Sequence, residues 1–172
     1  MRDFRRLSLV LCLSVFSSLR AWGDPEVGTD LFNAGRMRLS VAGGYGEWNS
    51  KSYGVIGLGA GYYLLNGLEA GVDGEAWLGS KPHIYTVSPE MRYILLELGQ
   101  FKPYEGGFYK RSLYDDLVPL DSAGGRVGLI TTLSPRTYLS LGLVFEKFFH
   151  CDSNVYPTCS QTYPELGLAF SY

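Results

Sequence analysis

Residues 163–172 read YPELGLAFSY and end the chain on an alternating pattern whose last residue is aromatic. Large apolar side chains occupy every second position, while Glu, Gly, Ala and Ser lie between them. This period-2 alternation indicates a β-strand with one apolar face and one small or polar face. An aromatic residue at a free chain terminus gains little, so the ending predicts a strand that pairs with another part of the chain. Its apolar residues are Leu166, Leu168, Phe170 and Tyr172.

The same alternation recurs through the rest of the chain, and no window shows a helical stripe. Each alternating segment is about 11–14 residues long, whereas strands of soluble domains are typically about 5–6 residues. A tilted strand that crosses a bilayer needs about 9–11 residues, so these segments are long enough. The predicted strands are 36–48, 53–64, 67–78, 84–96, 102–113, 123–134, 136–149 and 161–172.

The connections between these segments predict a closed up-and-down barrel. Shorter and longer connections are expected at opposite ends of the strands, with YDDLVPLDSA at 114–123 among the longer ones. Outer-membrane barrels have short periplasmic turns and longer outer loops. An even number of strands also returns both ends of the chain to the same side. We therefore predict an all-β, eight-stranded antiparallel transmembrane barrel.

The first residues of the chain have the layout of a secretory signal peptide. Three arginines lie within the first six residues, and an apolar stretch follows at 7–16. That stretch is too short for a membrane-spanning helix, which needs about 20 residues; a buried N-terminal helix is the alternative. Ala21 and Gly23 favour cleavage before Asp24. The predicted organisation is a signal peptide at 1–23, a periplasmic leader at 24–35 and a barrel at 36–172.

The two faces of the predicted strands differ in side-chain size and charge. One face carries Leu, Val and aromatic residues, including Tyr104 and Phe108, and the other carries charged residues and many glycines. Glycine weakens an exposed strand face, but it makes room inside a narrow eight-stranded barrel. We therefore expect the charged face to line the lumen. The predicted lumen residues are Arg38, Glu69, Asp73, Glu75, Glu90, Arg92, Glu105, Arg111, Arg126, Glu146 and Glu165.

These charged residues admit two interpretations. One is a catalytic or ion-conducting site, and the other is a salt-bridge network that fills the lumen. A buried charge that loses its partner costs several kcal/mol, so the network predicts that Arg92, Arg111 and Arg126 each meet a carboxylate. The network is the better interpretation of a set that contains both signs of charge.

The sequence shows no catalytic set, and we assign no catalytic residue, cofactor or metal. The chain has two histidines, His83 and His150, and both fall in predicted outer loops. A general base must lie within hydrogen-bond reach of its nucleophile, and no histidine is followed two residues later by serine, the spacing found in outer-membrane lipid A deacylases. An outer-membrane lipid-modifying enzyme, a hydrolase of lipid A or of phospholipid, remains the alternative function. The formal net charge of −2 and the lack of a basic run give no footprint for nucleic acid.

Cys151 and Cys159 are the cysteines that remain after removal of the signal peptide. An even pair in an exported chain favours a disulfide, here across the segment DSNVYPT. A metal site with His150 is the alternative, but no fourth ligand has suitable spacing.

The ending YPELGLAFSY resembles the C-terminal signal by which outer-membrane barrels are recognised for assembly, although Phe is commoner than Tyr at the last position. The mature chain is similar in layout to the small eight-stranded OmpA/OmpX-type barrels, and FKPYEGGFYKR at 101–111 resembles a strand opening common in that group. The resemblance implies an outer-membrane protein of a Gram-negative-type bacterium with both termini periplasmic. Its implied partners are outer-membrane lipids, the barrel-assembly machinery and periplasmic chaperones.

The resemblance also implies a protein without an open pore, with a structural role or a surface interaction through its outer loops. It names no extracellular ligand. A soluble secreted barrel that binds a small apolar ligand is a third hypothesis that the same strand pattern allows.

Overall fold

The computed structural model of the chain describes residues 29–48, 51–115, 118–149 and 159–172. A 3₁₀ turn at Thr29–Phe32 precedes eight antiparallel strands, which pair in chain order and close into a barrel through β1 and β8. The predicted eight-stranded up-and-down barrel is therefore confirmed. The strands are β1 Met37–Trp48, β2 Lys51–Leu65, β3 Leu68–Leu78, β4 Ile84–Ile94, β5 Phe101–Tyr114, β6 Leu120–Ser134, β7 Thr137–Phe148 and β8 Ser160–Ser171.

The end of the barrel that holds Met37 and Tyr172 is called the lower end here, and the opposite end the upper end. The lower turn between β2 and β3 is Asn66-Gly67, and Gly67 has a φ of +79°. A Cβ at Gly67 would lie 2.5 Å from the backbone oxygen of Ile94. Glycine is therefore required there both for the left-handed backbone and for the close approach of β4.

Two of the seven connections depart from the predicted contrast between short and long ends. The upper connection between β1 and β2 is residues 49–50 alone, while the lower connection between β4 and β5 spans 95–100. β6 begins at Leu120, earlier than predicted, because Asp121 already pairs with Arg111 of β5. The upper connection before β6 is therefore shorter than the predicted loop 114–123.

The two faces of the sheet separate side chains as predicted on seven of the eight strands. Leu58 of β2 is 65% exposed on the outer face, whereas Arg38 of β1 is 2% exposed and lies in the lumen. Inner-face glycines leave room for the long side chains. A Cβ at Gly61 would collide with the carboxyl group of Glu69.

The predicted signal peptide, 1–23, lies outside the described residues, and the predicted leader is described from residue 29. Leu31 and Phe32 of this leader are 1% and 0% exposed and belong to an apolar cluster inside the lower end of the barrel. The leader is thus part of the barrel core, which the sequence did not predict. None of the described residues forms a helix long and apolar enough to cross a membrane.

Candidate functional site: a charged lumen above an apolar plug

The lower end of the lumen is closed by aromatic side chains packed around Phe32. The ring centroid of Phe32 lies 5.9 Å from that of Tyr63 and 5.1 Å from that of Tyr138. The hydroxyls of Tyr63 and Tyr138 hydrogen-bond to each other at 3.2 Å. Leu31, Ile94, Tyr104, Ile130 and Ala169 complete the cluster. We call Leu31 and Phe32, with the cluster around them, the plug.

Backbone hydrogen bonds hold the plug segment in place. The amide of Gly67 donates to the backbone oxygen of Phe32 at 2.8 Å, and the hydroxyl of Ser171 donates to that of Leu31 at 2.6 Å. The amide of Ala34 donates to Oδ1 of Asn66 at 2.9 Å. The leader is therefore tied to the first lower turn and to the last strand, which are far apart in sequence.

Arg38 is one of two arginines at the centre of the lumen that each meet three carboxylates. Its Nε forms a short ion pair with Glu69, and its Nη2 lies 3.1 Å from Asp73 and 2.8 Å from Glu90. Its Nη1 donates to the hydroxyl of Ser40 at 2.7 Å. Because Arg38 lies on β1 and its partners lie on β3 and β4, the network crosses the lumen instead of following one strand.

Arg126 of β6 is the second of these arginines. Its Nη1 lies 3.3 Å from Asp73, 3.1 Å from Glu90 and 3.2 Å from Glu165. Glu90 also meets Nη2 of Arg92 at 3.1 Å. The shared carboxylates Asp73 and Glu90 thus join the three arginines into one network.

Lys110 holds the upper part of the lumen together. Its Nζ lies 3.5 Å from Glu75 and 3.6 Å from Glu146, and it donates to the hydroxyl of Tyr163 at 2.9 Å. Glu146 also accepts hydrogen bonds from Ser122 at 2.5 Å and from the amide of Gln161 at 2.9 Å. Glu75 lies two residues from Asp73 on the same face of β3, so this second group adjoins the central network.

The inward placement of β5 corrects the sequence prediction. Tyr104 and Phe108 were expected on the outer face, but they are 2% and 6% exposed and lie in the lumen together with Lys110. Glu105 and Arg111, predicted to line the lumen, lie on the outer face instead. Arg111 has a side chain that is 53% exposed, and its partner Asp121 lies at 3.9 Å. The predicted network therefore loses Glu105 and Arg111 and gains Lys110.

The prediction was wrong here because both faces of β5 mix aromatic and charged residues, so alternation alone did not set the phase. Strand pairing sets it: Glu105 pairs with Tyr93 of β4 and Val127 of β6, and both of these lie on the outer face. Tyr104 pairs with Gly128, and Phe108 with Gly124. Two aromatic residues and two glycines at the same spacing of four were the signal that could have found the correct phase.

The predicted lumen residues other than those two are brought together by the structure. The described network contains four cations and six carboxylates, so carboxylates are in excess by two. The cations are Arg38, Arg92, Lys110 and Arg126, and the carboxylates are Glu69, Asp73, Glu75, Glu90, Glu146 and Glu165. Lys102 lies apart from them, and its Nζ donates to the backbone oxygen of Gly99 at 2.6 Å.

His83 lies in the upper connection between β3 and β4, away from the lumen network. Its Nδ1 is 3.0 Å from the carboxyl of Asp115, and both side chains are exposed, at 39% and 53%. His150 and Cys151 lie outside the described residues. Cys159, just before β8, is not a free thiol, and its pairing with Cys151 stays a prediction. Within 29–48, 51–115, 118–149 and 159–172, no group of three or more metal-ligating side chains is arranged to hold a metal ion.

Solved structures resemble this barrel. The N-terminal β-barrel domain of Pseudomonas aeruginosa OprF matches with a TM-score of 0.64 and 14% identity, over 81% of this chain and 98% of that one. Neisserial surface protein A matches with a TM-score of 0.55 and 17% identity, over 79% of this chain and 94% of that one. The chain has the fold of the small eight-stranded outer-membrane barrels. No protein-family model matches the sequence, and no curated protein matches it either.

Proposed function

We propose that the chain is an integral outer-membrane protein of a Gram-negative-type bacterium, with its lower end and both termini on the periplasmic side. The apolar outer face of the closed sheet carries this proposal. Leu58, Leu141 and Phe101 are 65%, 59% and 59% exposed there, and similar residues surround the barrel. A soluble protein rarely exposes a continuous apolar surface of this kind. A bilayer accepts it, because the paired strands of a barrel satisfy their backbone hydrogen bonds within the sheet.

The proposed protein is not an open pore. An ion that crossed the lumen would have to displace buried partners of Arg38 and Arg126, and leaving a buried charge without its partner costs several kcal/mol. It would also have to pass the plug, where Phe32, Tyr63 and Tyr138 are each 0% exposed. The lumen therefore acts as a structural core, and outer-membrane lipids surround the outer face of the barrel.

The upper end is the part of the barrel that we propose for interaction at the cell surface. Its β3–β4 connection is tied to the start of β2: Nζ of Lys51 donates to the backbone oxygen of Lys81 at 2.7 Å, and the hydroxyl of Ser80 donates to that of Ser52 at 2.8 Å. Val118, in the connection before β6, is 83% exposed. Connections held in one arrangement can present the same surface to a partner, and binding then costs less ordering entropy.

Assembly is proposed to depend on the last strand. The apolar residues Leu166, Leu168, Phe170 and Tyr172 would be read by the barrel-assembly machinery after periplasmic chaperones deliver the unfolded chain. Recognition of β8 would be coupled to closure, because β8 closes the barrel by pairing with β1.

One purified sample tests the main parts of this proposal. We expect unheated protein to migrate differently from boiled protein on a gel, and to show no stepwise conductance in a planar bilayer. We also expect no turnover of lipid A or phospholipid. Recovery of folded protein without detergent, discrete conductance steps or lipid turnover would each contradict the corresponding part.

Orientation is tested with single cysteines in a Cys151→Ser, Cys159→Ser background. Val118→Cys and Arg136→Cys place a thiol at exposed positions of the upper and lower ends, respectively. A membrane-impermeant maleimide added to intact cells should label Val118→Cys, and it should label Arg136→Cys after lysis alone. The reverse pattern would contradict the proposed orientation.

A further inference from the structure

The seam between β1 and β8 is paired along its lower half alone. Its register runs from Arg38 opposite Ser171 to Gly43 opposite Leu166, and within the described residues no further pair follows. On their other sides, both strands are paired as far as their upper ends: β1 pairs with β2 as far as Trp48, and β8 pairs with β7 as far as Ser160. Among the described residues, the upper parts of both strands are thus β-structure with one edge that pairs with no other strand.

Pro164 occupies the first hydrogen-bonding position above the last pair of the seam. Met37 and Tyr172 exchange two backbone hydrogen bonds, so in antiparallel pairing the even-numbered residues of β8 direct their amides towards β1. The next such pair above Gly43 and Leu166 would join Tyr45 to Pro164. Proline has no backbone N–H and cannot donate to a ladder, so this pair cannot form both of its bonds.

A cleft lies at the open part of the seam. Its volume is about 380 Å³, and its lining runs from Ala42–Tyr45 of β1 to Gln161–Glu165 of β8, with Trp77 and Glu75 at its inner end. This volume falls within the range of about 300–1,000 Å³ found for ligand pockets. A Cβ at Gly43 or Gly44 would meet nothing within 4 Å. No side chain therefore covers the backbone of β1 at these two residues of the cleft.

The cleft changes in polarity from its outer lip to its inner end. The outer lip includes Tyr45, which is 64% exposed on the apolar outer face, and the exposed Pro164 of β8. The inner end carries Glu75 and Glu165, whose side chains are each 17% exposed. Each of them shares its cation with other carboxylates, because Lys110 also meets Glu146 and Arg126 also meets Asp73 and Glu90. The negative charge at the inner end of the cleft is therefore only partly neutralised.

We infer that this cleft binds a single-chain amphiphile with a cationic head group, such as a long-chain amine, from the surrounding bilayer. The head would lie at Glu75 and Glu165, and the chain would leave between Gly43 and Pro164 to lie against the outer face. In a site of low dielectric, the attraction between carboxylates and a cationic head group is stronger than in water. The inference rests on the proposed membrane location and goes beyond the proposed function, which needs no ligand in the barrel wall.

Trp77 gives a direct measurement of occupancy. It lines the cleft, and a Trp48→Phe background leaves it as the one tryptophan of residues 24–172. The probe is dodecylamine brominated near its head, added to the barrel in phosphatidylcholine vesicles, with the correspondingly brominated dodecyl sulfate as the anionic comparison. We expect saturable quenching by the amine at a dissociation constant at least tenfold lower than that of the sulfate. Equal quenching by the two probes would overturn the cationic specificity.

Pro164→Thr supplies the missing amide and should extend the ladder to Tyr45. It should weaken quenching by the amine at least tenfold. The matched control is Pro89→Thr, because Pro89 also leaves a gap in a ladder, between β4 and β5, but this ladder resumes at Val87 and Arg111 and lies away from the cleft. This variant should quench like the parent. Undiminished quenching in Pro164→Thr would overturn the inference.

Gly44→Leu provides a second variant, since it fills the cleft from open space without changing a backbone donor. It too should reduce quenching at least tenfold while the heat-induced gel shift stays intact. If the parent folds in vesicles and shows the gel shift but no saturable quenching, the inference fails and the proposed membrane location stands. If the parent does not enter vesicles as a heat-modifiable barrel, the proposed function itself fails.

Discussion

The backbone amide of Met37 donates to the oxygen of Tyr172 at 3.0 Å, and the amide of Tyr172 donates back to Met37 at 2.9 Å. The last residue of the chain therefore closes the barrel on the first residue of β1. One residue earlier, the hydroxyl of Ser171 donates to the backbone oxygen of Leu31 and so holds the leader. The aromatic ending thus joins two elements, the seam of the sheet and the plug below it.

Deletion of Phe170–Tyr172 should prevent normal assembly. The truncation removes the pairs of β8 with Arg38 and Leu39 and the bond that holds the plug, and it removes the end of the predicted assembly signal. We expect the truncated chain to accumulate in the periplasm and to be degraded, as measured by fractionation and immunoblotting. Outer-membrane insertion at the parent level would contradict both the structural and the targeting roles of the ending.

Arg126→Met should destabilise the barrel far more than Arg111→Met. Arg126 lies within 3.3 Å of three lumen carboxylates, and removing one partner of a buried pair typically costs about 3–5 kcal/mol. Arg111 is exposed and lies 3.9 Å from its partner; exposed pairs contribute about 0–1 kcal/mol. Urea unfolding in lipid vesicles measures both free energies, and equal losses would contradict the inward network.

Gly128→Ala should destabilise the barrel, whereas Gly44→Ala should not. A Cβ at Gly128 would lie 2.6 Å from the Cα of Gly142 and 2.7 Å from the ring of Tyr104. Overpacking of this kind typically costs about 1–3 kcal/mol. The same atom at Gly44 meets nothing within 4 Å. The denaturant midpoint for unfolding measures both variants; an unchanged midpoint for Gly128→Ala would mean that the wall can move to accept a methyl group.

The strands and their number could be predicted because membrane-length alternation with one glycine-rich face has few alternative folds. The phase of β5 could not, because the choice between Tyr104 and Glu105 as the inward residue is decided by neighbouring strands. The plug could not be predicted either: Leu31 and Phe32 precede the first strand, and nothing local shows that they enter the lumen. The open seam could be recognised only once the strand register was known. Pro164 alone shows that a backbone donor is missing, but it does not show which residue of the neighbouring strand is left without that donor.

Cys151→Ser with Cys159→Ser should leave the barrel folded but expose its longest upper connection. The predicted disulfide closes a short loop above strands that are already joined by main-chain hydrogen bonds, as in the pairing of Lys147 with Ser160. We expect an unchanged gel shift and faster cleavage of residues 152–158 by protease added to intact cells. Mass spectrometry of the oxidised parent should find the bond; two free thiols would refute it.

Phe32→Ala should loosen the lower end of the barrel. Phe32 is 0% exposed and packs against Tyr63 and Tyr138, and truncating a buried Phe typically costs about 3–5 kcal/mol. Its backbone bond to Gly67 does not depend on the side chain, so the leader should stay attached while a cavity replaces the ring. We expect a lower free energy of unfolding and a barrel that still inserts.

Phe101→Ala is the control for this change, because Phe101 also lies near the lower end but is 59% exposed on the outer face. It should retain most of the parent stability in vesicles. Planar-bilayer recordings separate the two barriers to ions: if the charged network alone closes the lumen, Phe32→Ala stays non-conducting, and if the plug closes it, the variant conducts. We expect the first outcome, because Arg38 and Arg126 with their carboxylates span the lumen above Phe32 whether or not its ring is present.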